Sequence, residues 1–267
     1  MGSPTLINLE EIIGNIKNDS KNDIVRIITY PFIDLNIFYK RMEALLEKGI
    51  RAIILDGKVQ IGRYYVMGKG TNSIVLKGLY KDNIIVIKLL RLDASRNSLS
   101  FEAEVLKKIY NSYLHHKLVP EIIDHTEWMI ILEYLDGVSI FDFLNDDIFY
   151  LDKAEISRAL YLTLYKAFLL DKIYIDHGEL SRPKSHILYV EPDYDPVFID
   201  FESARYKESP KNFSSIIQAI FVRHPSSEYL RDIYNLNLEK IRRYIYIYNK
   251  SRSEETVNYI LTKIFNL

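Results

Sequence analysis

Near Phe141 the apolar residues of this chain change their spacing, and that change limits the folds open to it. Between Ala52 and Leu90 they fall in short runs rich in β-branched residues: Ala52–Leu55, Val59–Ile61, Tyr64–Met67, Ile74–Leu79 and Ile84–Leu90. Turn residues separate the runs, Asp56-Gly57 and Lys81-Asp82-Asn83 among them. The pattern predicts strands, the first two joined as a hairpin. A helical run from about Ser98 to Tyr113 follows, then strands over Ile122–His125 and Trp128–Glu133. From Phe141 onward the spacing is mostly helical, interrupted between Asp176 and Asp200. Strands and one helix first, then helices, predict an α+β chain with a sheet-rich lobe beside a helical lobe.

The first sixty residues read as an appended α/β element. Apolar spacing predicts a helix from Leu6 to Ile16, and Ile24-Val25-Arg26-Ile27-Ile28 predicts a strand within Asp23–Tyr30, closed by Pro31. Asp34 is placed to cap a helix from Leu35 to Lys48, which Gly49 ends. The expected division is 1–60, 61–134 and 135–267.

Composition narrows the function classes. Hydrophobic residues make up 48% of the chain, enough for a substantial core. The 35 basic and 36 acidic residues leave a net charge of −1, which gives no sign of a broad nucleic-acid-binding surface. No cysteine is present, so disulfides and thiolate metal sites are excluded, and a reducing cytoplasm suits the chain. No apolar run approaches the ~18 residues a bilayer span needs. The start, Met1-Gly2-Ser3-Pro4-Thr5-Leu6, lacks the hydroxyl residue that a myristoylation signal carries at its sixth position. Abundant Ile, Tyr, Lys and Glu with only 10 Gly resembles thermophilic proteins.

Several short segments point to phosphate chemistry. Gly68-Lys69-Gly70-Thr71-Asn72-Ser73-Ile74-Val75 lies between two predicted strands. Glycines there permit positive φ and close approach of backbone amides to phosphates, although alone the segment is an ordinary hairpin turn. Lys88, in Ile85-Val86-Ile87-Lys88-Leu89, follows at hairpin distance. By itself it reads as a solvated charge, but in a curved sheet it can reach under the turn toward phosphates. A long side chain of that kind needs a partner. Glu102 shares the helix face of Leu106 and Ile109, whereas Glu104 is turned away. The apolar strand Met129–Leu132 runs into Glu133-Tyr134-Leu135-Asp136-Gly137, where backbone groups of Glu133 and Leu135 are candidates to read an adenine edge. Finally, Pro196-Val197-Phe198-Ile199-Asp200 ends a buried strand in a carboxylate, which is costly unless it is paired or holds a metal.

The order of these pieces, completed by Ile175-Asp176-His177-Gly178-Glu179-Leu180 and by His186-Ile187-Leu188, is that of the protein kinases. The chain resembles the RIO-like and aminoglycoside-phosphotransferase-like branches, and in particular a group of predicted archaeal Ser/Thr protein kinases. The resemblance covers about Tyr64 to Val222 and leaves out residues 1–60. It implies a two-lobed protein-kinase-like fold, ATP with Mg²⁺ or Mn²⁺, and transfer to Ser/Thr of a protein substrate, including the chain itself. It assigns Gly68, Lys69, Gly70, Ser73 and Val75 to the phosphate turn. Lys88 holds the phosphates, Glu102 holds Lys88, Glu179 orients the acceptor hydroxyl, and Asp200 and His186 hold the metal.

Two departures stand out. The carboxylate residue of the catalytic loop is Glu179 where the families it resembles have aspartate, and the loop from it to His186 is two residues longer. Histidine is also a poor Mg²⁺ ligand, so slow transfer, use of Mn²⁺ or loss of activity is implied. No Ala-Pro-Glu motif follows Asp200. The rival readings are a small-molecule hydroxyl kinase, which needs an acidic or sugar-shaped pocket among the C-terminal helices, and an ATP-gated binding module without transfer. The tail Arg242-Arg243-Tyr244-Ile245-Tyr246-Ile247-Tyr248 reads as an amphipathic core helix, with a partner surface as the alternative.

Overall fold

A computed structural model describes residues 4–15 and 23–266. Ile16, the expected end of the first helix, and the segment Met1–Ser3 lie outside them. The chain is α+β and separates into two compact units, residues 1–104 with 121–134, and residues 105–120 with 135–267.

In the first unit the chain runs β1 (Thr5–Asn8), α1 (Leu9–Asn15), α2 (Asp23–Ile28), α3 (Leu35–Glu47), β2 (Ile50–Leu55), β3 (Val59–Ile61), β4 (Tyr64–Val66), β5 (Gly68–Lys69), β6 (Ser73–Tyr80) and β7 (Asn83–Leu90). Next come α4 (Ser100–Ser112), which continues into the second unit, β8 (Ile122–His125) and β9 (Met129–Glu133). The main sheet is antiparallel, in the order β1-β2-β6-β7-β9-β8, with β5 paired to β6. Two strands from the first sixty residues join this sheet: β1 pairs with β2, and β2 with β6.

Three local expectations are corrected. Residues Leu6–Asn8 are strand, because β1 completes the edge beside β2, and the helix starts at Leu9. The β-branched run at 24–28 is helical. Its buried residues, Ile24, Val25, Ile27 and Ile28, fall on one face of a 3.6-residue repeat with Arg26 outside them, and packing outweighs strand propensity. The hairpin expected across Asp56-Gly57 does not form, since β2 already has a neighbour on each side; β3 pairs instead with β4. Asp34 does cap α3, its Oδ1 accepting the Ile37 N–H at 2.9 Å.

The second unit contains β10 (Gly137–Ser139), α5 (Ile140–Asn145), α6 (Lys153–Lys172), β11 (Ile175–Asp176), β12 (Ile187–Val190), β13 (Asp195–Phe198), β14 (Arg205–Tyr206), α7 (Asn212–Gln218), a π-helical turn at Ala219–Arg223, α8 (Ser227–Ile233), α9 (Leu238–Ser251) and α10 (Glu254–Phe265). Its core gathers on α6, whose Leu160, Leu164, Ala167 and Phe168 are buried together with Phe213, Ile217 and Ile260. In α9, Tyr244 and Tyr248 are buried while Tyr246 is exposed, the i, i+4 pattern of an amphipathic helix. Among the described residues no helix is long and apolar enough to cross a membrane.

Candidate functional site

In the first unit, cross-strand pairing sets a row of residues on one face of the sheet. Gly68 lies opposite Val75, Val75 opposite Lys88, and Lys88 opposite Ile130. Lys88 is 5% exposed and Glu102, in the first turn of α4, is 2% exposed. Lys88 Nζ donates to Glu102 Oε1 at 2.8 Å, while Glu104 is exposed.

The turn above this row is closed by Gly70 N–H donating to Ser73 O at 2.8 Å. Positive φ among the described glycines falls at Gly49, Gly57, Gly62 and Gly178, not at Gly68 or Gly70. A Cβ on Gly68 would only touch Val75 at 3.6 Å. At Gly68, neither φ nor the space around a Cβ demands glycine. Side chains fix the turn instead. Buried Asn72 accepts from Ser95 N–H at 3.0 Å and Ser95 Oγ at 2.9 Å. Arg91 donates to Gly70 O at 2.7 Å and, through its own N–H, to Asn72 O at 2.8 Å. The hydrogen-bonded Asp93 carboxylate raises the Arg91 pKa further above its ordinary value. Lys69 lies over the Tyr30 ring, 5.7 Å from its centroid. Sequence reasoning passed over Asn72, Arg91 and Ser95. The available signal was a small amide residue inside a turn, where such side chains bind backbone.

At the end of β9, the Glu133 N–H is given to Glu121 O at 3.0 Å, and the Glu133 carboxylate caps Glu121 N–H at 3.2 Å. Of the backbone groups named as candidates to read an adenine edge, the Glu133 N–H is thus already taken. Leu135 follows in the irregular segment 134–136 and is half-buried.

The second unit assembles the other candidates. β11 leads into His177, whose imidazole is fully buried. Its Nε2 lies 3.0 Å from Ile199 O, an acceptor only, so Nε2 carries the proton. Burial, reinforced by repulsion from His186, lowers His177 to about 4. The loop is anchored behind as well. His177 N–H donates to Asn212 Oδ1 at 3.0 Å, and Asn212 Nδ2 donates to Asp171 Oδ1 at 2.8 Å on α6. Tyr248 from α9 closes on the same carboxylate. Burial raises the Asp171 pKa, against the hydrogen bonds that lower it.

Gly178 has φ +90°, and a Cβ there would stand 2.5 Å from Ser203 O. Only glycine lets the two segments approach so closely. Glu179 follows. Its Oε1 accepts the Ser203 hydroxyl at 2.5 Å, and its Oε2 lies 3.3 Å from His186 Nε2. The same His186 nitrogen is 3.9 Å from Asp200 Oδ2. Side-chain exposure is 39% for Glu179, 14% for His186 and 43% for Asp200. Asp200 takes the left-handed conformation, φ 62° and ψ 71°, which aspartate adopts more readily than most residues with a side chain. The loop between Glu179 and His186 is anchored at both ends. Arg223 donates to Ser181 O at 2.9 Å, and Phe141 N–H donates to Lys184 O at 3.2 Å.

Glu179, His186 and Asp200 thus form one connected group, with the Ser203 hydroxyl on its outer oxygen. A carboxylate that already accepts a hydroxyl hydrogen can take its proton. The exposed Asp200 carboxylate suits a hard divalent cation, and cations in phosphate chemistry take one or two carboxylates plus phosphate and water oxygens. An imidazole as second donor suits Mn²⁺ better than Mg²⁺. Among the described residues no group of three or more His, Asp or Glu side chains is placed to hold a metal ion, so such an ion would rest on Asp200 and His186 together with phosphate and water oxygens. Compared with known proteins, the chain matches no family model and no curated sequence.

Proposed function

We propose that this chain is an ATP-dependent phosphotransferase of RIO-like, two-lobed protein-kinase-like type, moving the γ-phosphate to Ser or Thr of a protein. The observation that carries the reading is Glu179, a carboxylate already holding a serine hydroxyl and connected through His186 to Asp200. The buried Lys88–Glu102 pair beneath a braced glycine turn supports it from the first unit.

In this reading Lys88, held straight by Glu102, binds the phosphates. Asp200 and His186 hold the divalent cation, which supplies charge neutralisation on phosphate oxygens. Glu179 orients the acceptor hydroxyl and takes its proton. Catalysis then rests on positioning and electrostatics. Asn72, Arg91 and Ser95 keep the turn in shape, and His177 keeps Ile199, and with it Asp200, in place.

One feature favours a protein acceptor over a cationic small molecule. The groove beside Ser181–Lys184 has apolar walls from α5 and the π-helical turn, and its charged lining residues are Arg182, Lys184 and Arg223. It carries cations where a basic sugar would need carboxylates. Incubation with γ-labelled ATP and Mg²⁺ or Mn²⁺ tests the proposal. Label on protein Ser or Thr supports it, label in free phosphate alone indicates an ATPase switch, and no release or transfer removes it.

A further inference from the structure

The reaction proposed above needs an acceptor hydroxyl, and the second unit already presents one to Glu179. Ser203 Oγ donates to Glu179 Oε1 at 2.5 Å, the arrangement a general base needs toward the hydroxyl it deprotonates. The placement is built in. The turn Phe201–Ser203 is closed by Ala204 N–H on Phe201 O at 3.0 Å. The Phe201 ring is buried, 4.5 Å from that of His177. Gly178 supplies the space for the Ser203 backbone. Folding does not demand the bond, since Ser203 is exposed and water would serve its hydroxyl as well.

Resting on the phosphotransferase reading, we infer that Ser203 is a phosphorylation site of the chain itself, modified in cis as the first acceptor. The Ser203 Oγ forms the new bond to the γ-phosphorus as the bond from that phosphorus to the β,γ-bridging oxygen breaks. ADP leaves with that electron pair, and Glu179 takes the hydroxyl proton. The product carries a phosphate of nearly two negative charges against the Glu179 carboxylate. Like charges repel at that distance, so the modified serine leaves Glu179 and opens it to an external hydroxyl. Self-phosphorylation would therefore act as an opening step for the site.

The test is intact-mass analysis and peptide mapping of the full chain after incubation with ATP and Mn²⁺ or Mg²⁺, at several protein concentrations. The expected result is one phosphoryl group on Ser203, formed at a rate per molecule independent of protein concentration. It is absent from Ser203→Ala and appears as phosphothreonine in Ser203→Thr, which retains the hydroxyl. Phosphate on other residues or on an added protein, with Ser203 unmodified, overturns this inference and leaves the phosphotransferase reading standing. A rate per molecule that rises with protein concentration overturns the cis step. No transfer to any acceptor removes both.

Discussion

Lys88 Nζ and Glu102 Oε1 lie 2.8 Å apart, and neither side chain has more than a trace of solvent contact. Removing one partner of such a pair leaves the other charge buried and typically costs about 3–5 kcal/mol. A loss of activity in Lys88→Met alone would thus confound stability with function. The double variant Lys88→Met with Glu102→Gln separates them. It is expected to melt closer to the wild type than Lys88→Met does, yet to remain deficient in transfer, with effects that are far from additive. Transfer recovering along with stability would show the pair to be structural only.

The pairing was legible because α4 is a regular helix, and Glu102 shares its inward face with Leu106 four residues on. Asp34, Lys81-Asp82 and the strands of β6 and β7 were legible for the same reason: local rules decide them. The segment 24–28 was not, because four β-branched residues suit strand and helix face alike, and only packing chooses. The bracing of the turn was hidden too. Arg91 donates to backbone carbonyls, and Ser95 to the Asn72 side chain, about twenty residues earlier, a link that no spacing rule reports. Glu179, His186 and Asp200 could be placed in a functional order from motifs, but the Ser203–Glu179 bond depends on a close approach at Gly178 that emerges only in three dimensions.

A ligand that binds only the folded state stabilises it, by about 2.7 kcal/mol at a hundredfold excess over its dissociation constant. ATP with Mn²⁺ or Mg²⁺ is therefore expected to raise the melting temperature, and Asp200→Ala to abolish the metal-dependent part of that rise. Melting curves with ATP, with metal, and with both, recorded for wild type and Asp200→Ala, decide the matter. Identical curves in all conditions would remove the nucleotide site.

His177 makes stability depend on pH. Its ordinary value of 6.5 is lowered to about 4 in the folded chain by burial and by repulsion from His186. Between these values the unfolded chain binds a proton that the folded chain excludes. The contribution is complete above 6.5 and is lost as the pH falls toward 4. At about 1.36 kcal/mol per unit, the shift is on the order of 3 kcal/mol. Denaturant midpoints of wild type should fall between about pH 7 and about pH 5 by more than those of His177→Gln, whose amide can still donate to Ile199 O but does not titrate. Parallel pH profiles for the two proteins would assign the acid sensitivity elsewhere.

Glu179 allows the sharpest separation of catalysis from binding. Glu179→Gln keeps an oxygen able to accept from Ser203 and removes the charge that takes a proton. Nucleotide affinity is expected to stay close to wild type while transfer falls about 10²-fold or more, the usual loss for a positioned acid–base group. Glu179→Asp restores the charge but withdraws it by one methylene from His186 and Ser203. The loop that sets the distance is fixed at Ser181 by Arg223 and at Lys184 by Phe141, so it does not follow the shorter side chain. Transfer by Glu179→Asp is therefore expected to stay below wild type. Nucleotide affinity and label transfer measured on the same preparations settle the point. If Glu179→Gln transfers as well as wild type, Glu179 is not the base. If Glu179→Asp matches wild type while Glu179→Gln is impaired, the charge matters and the length of the side chain does not.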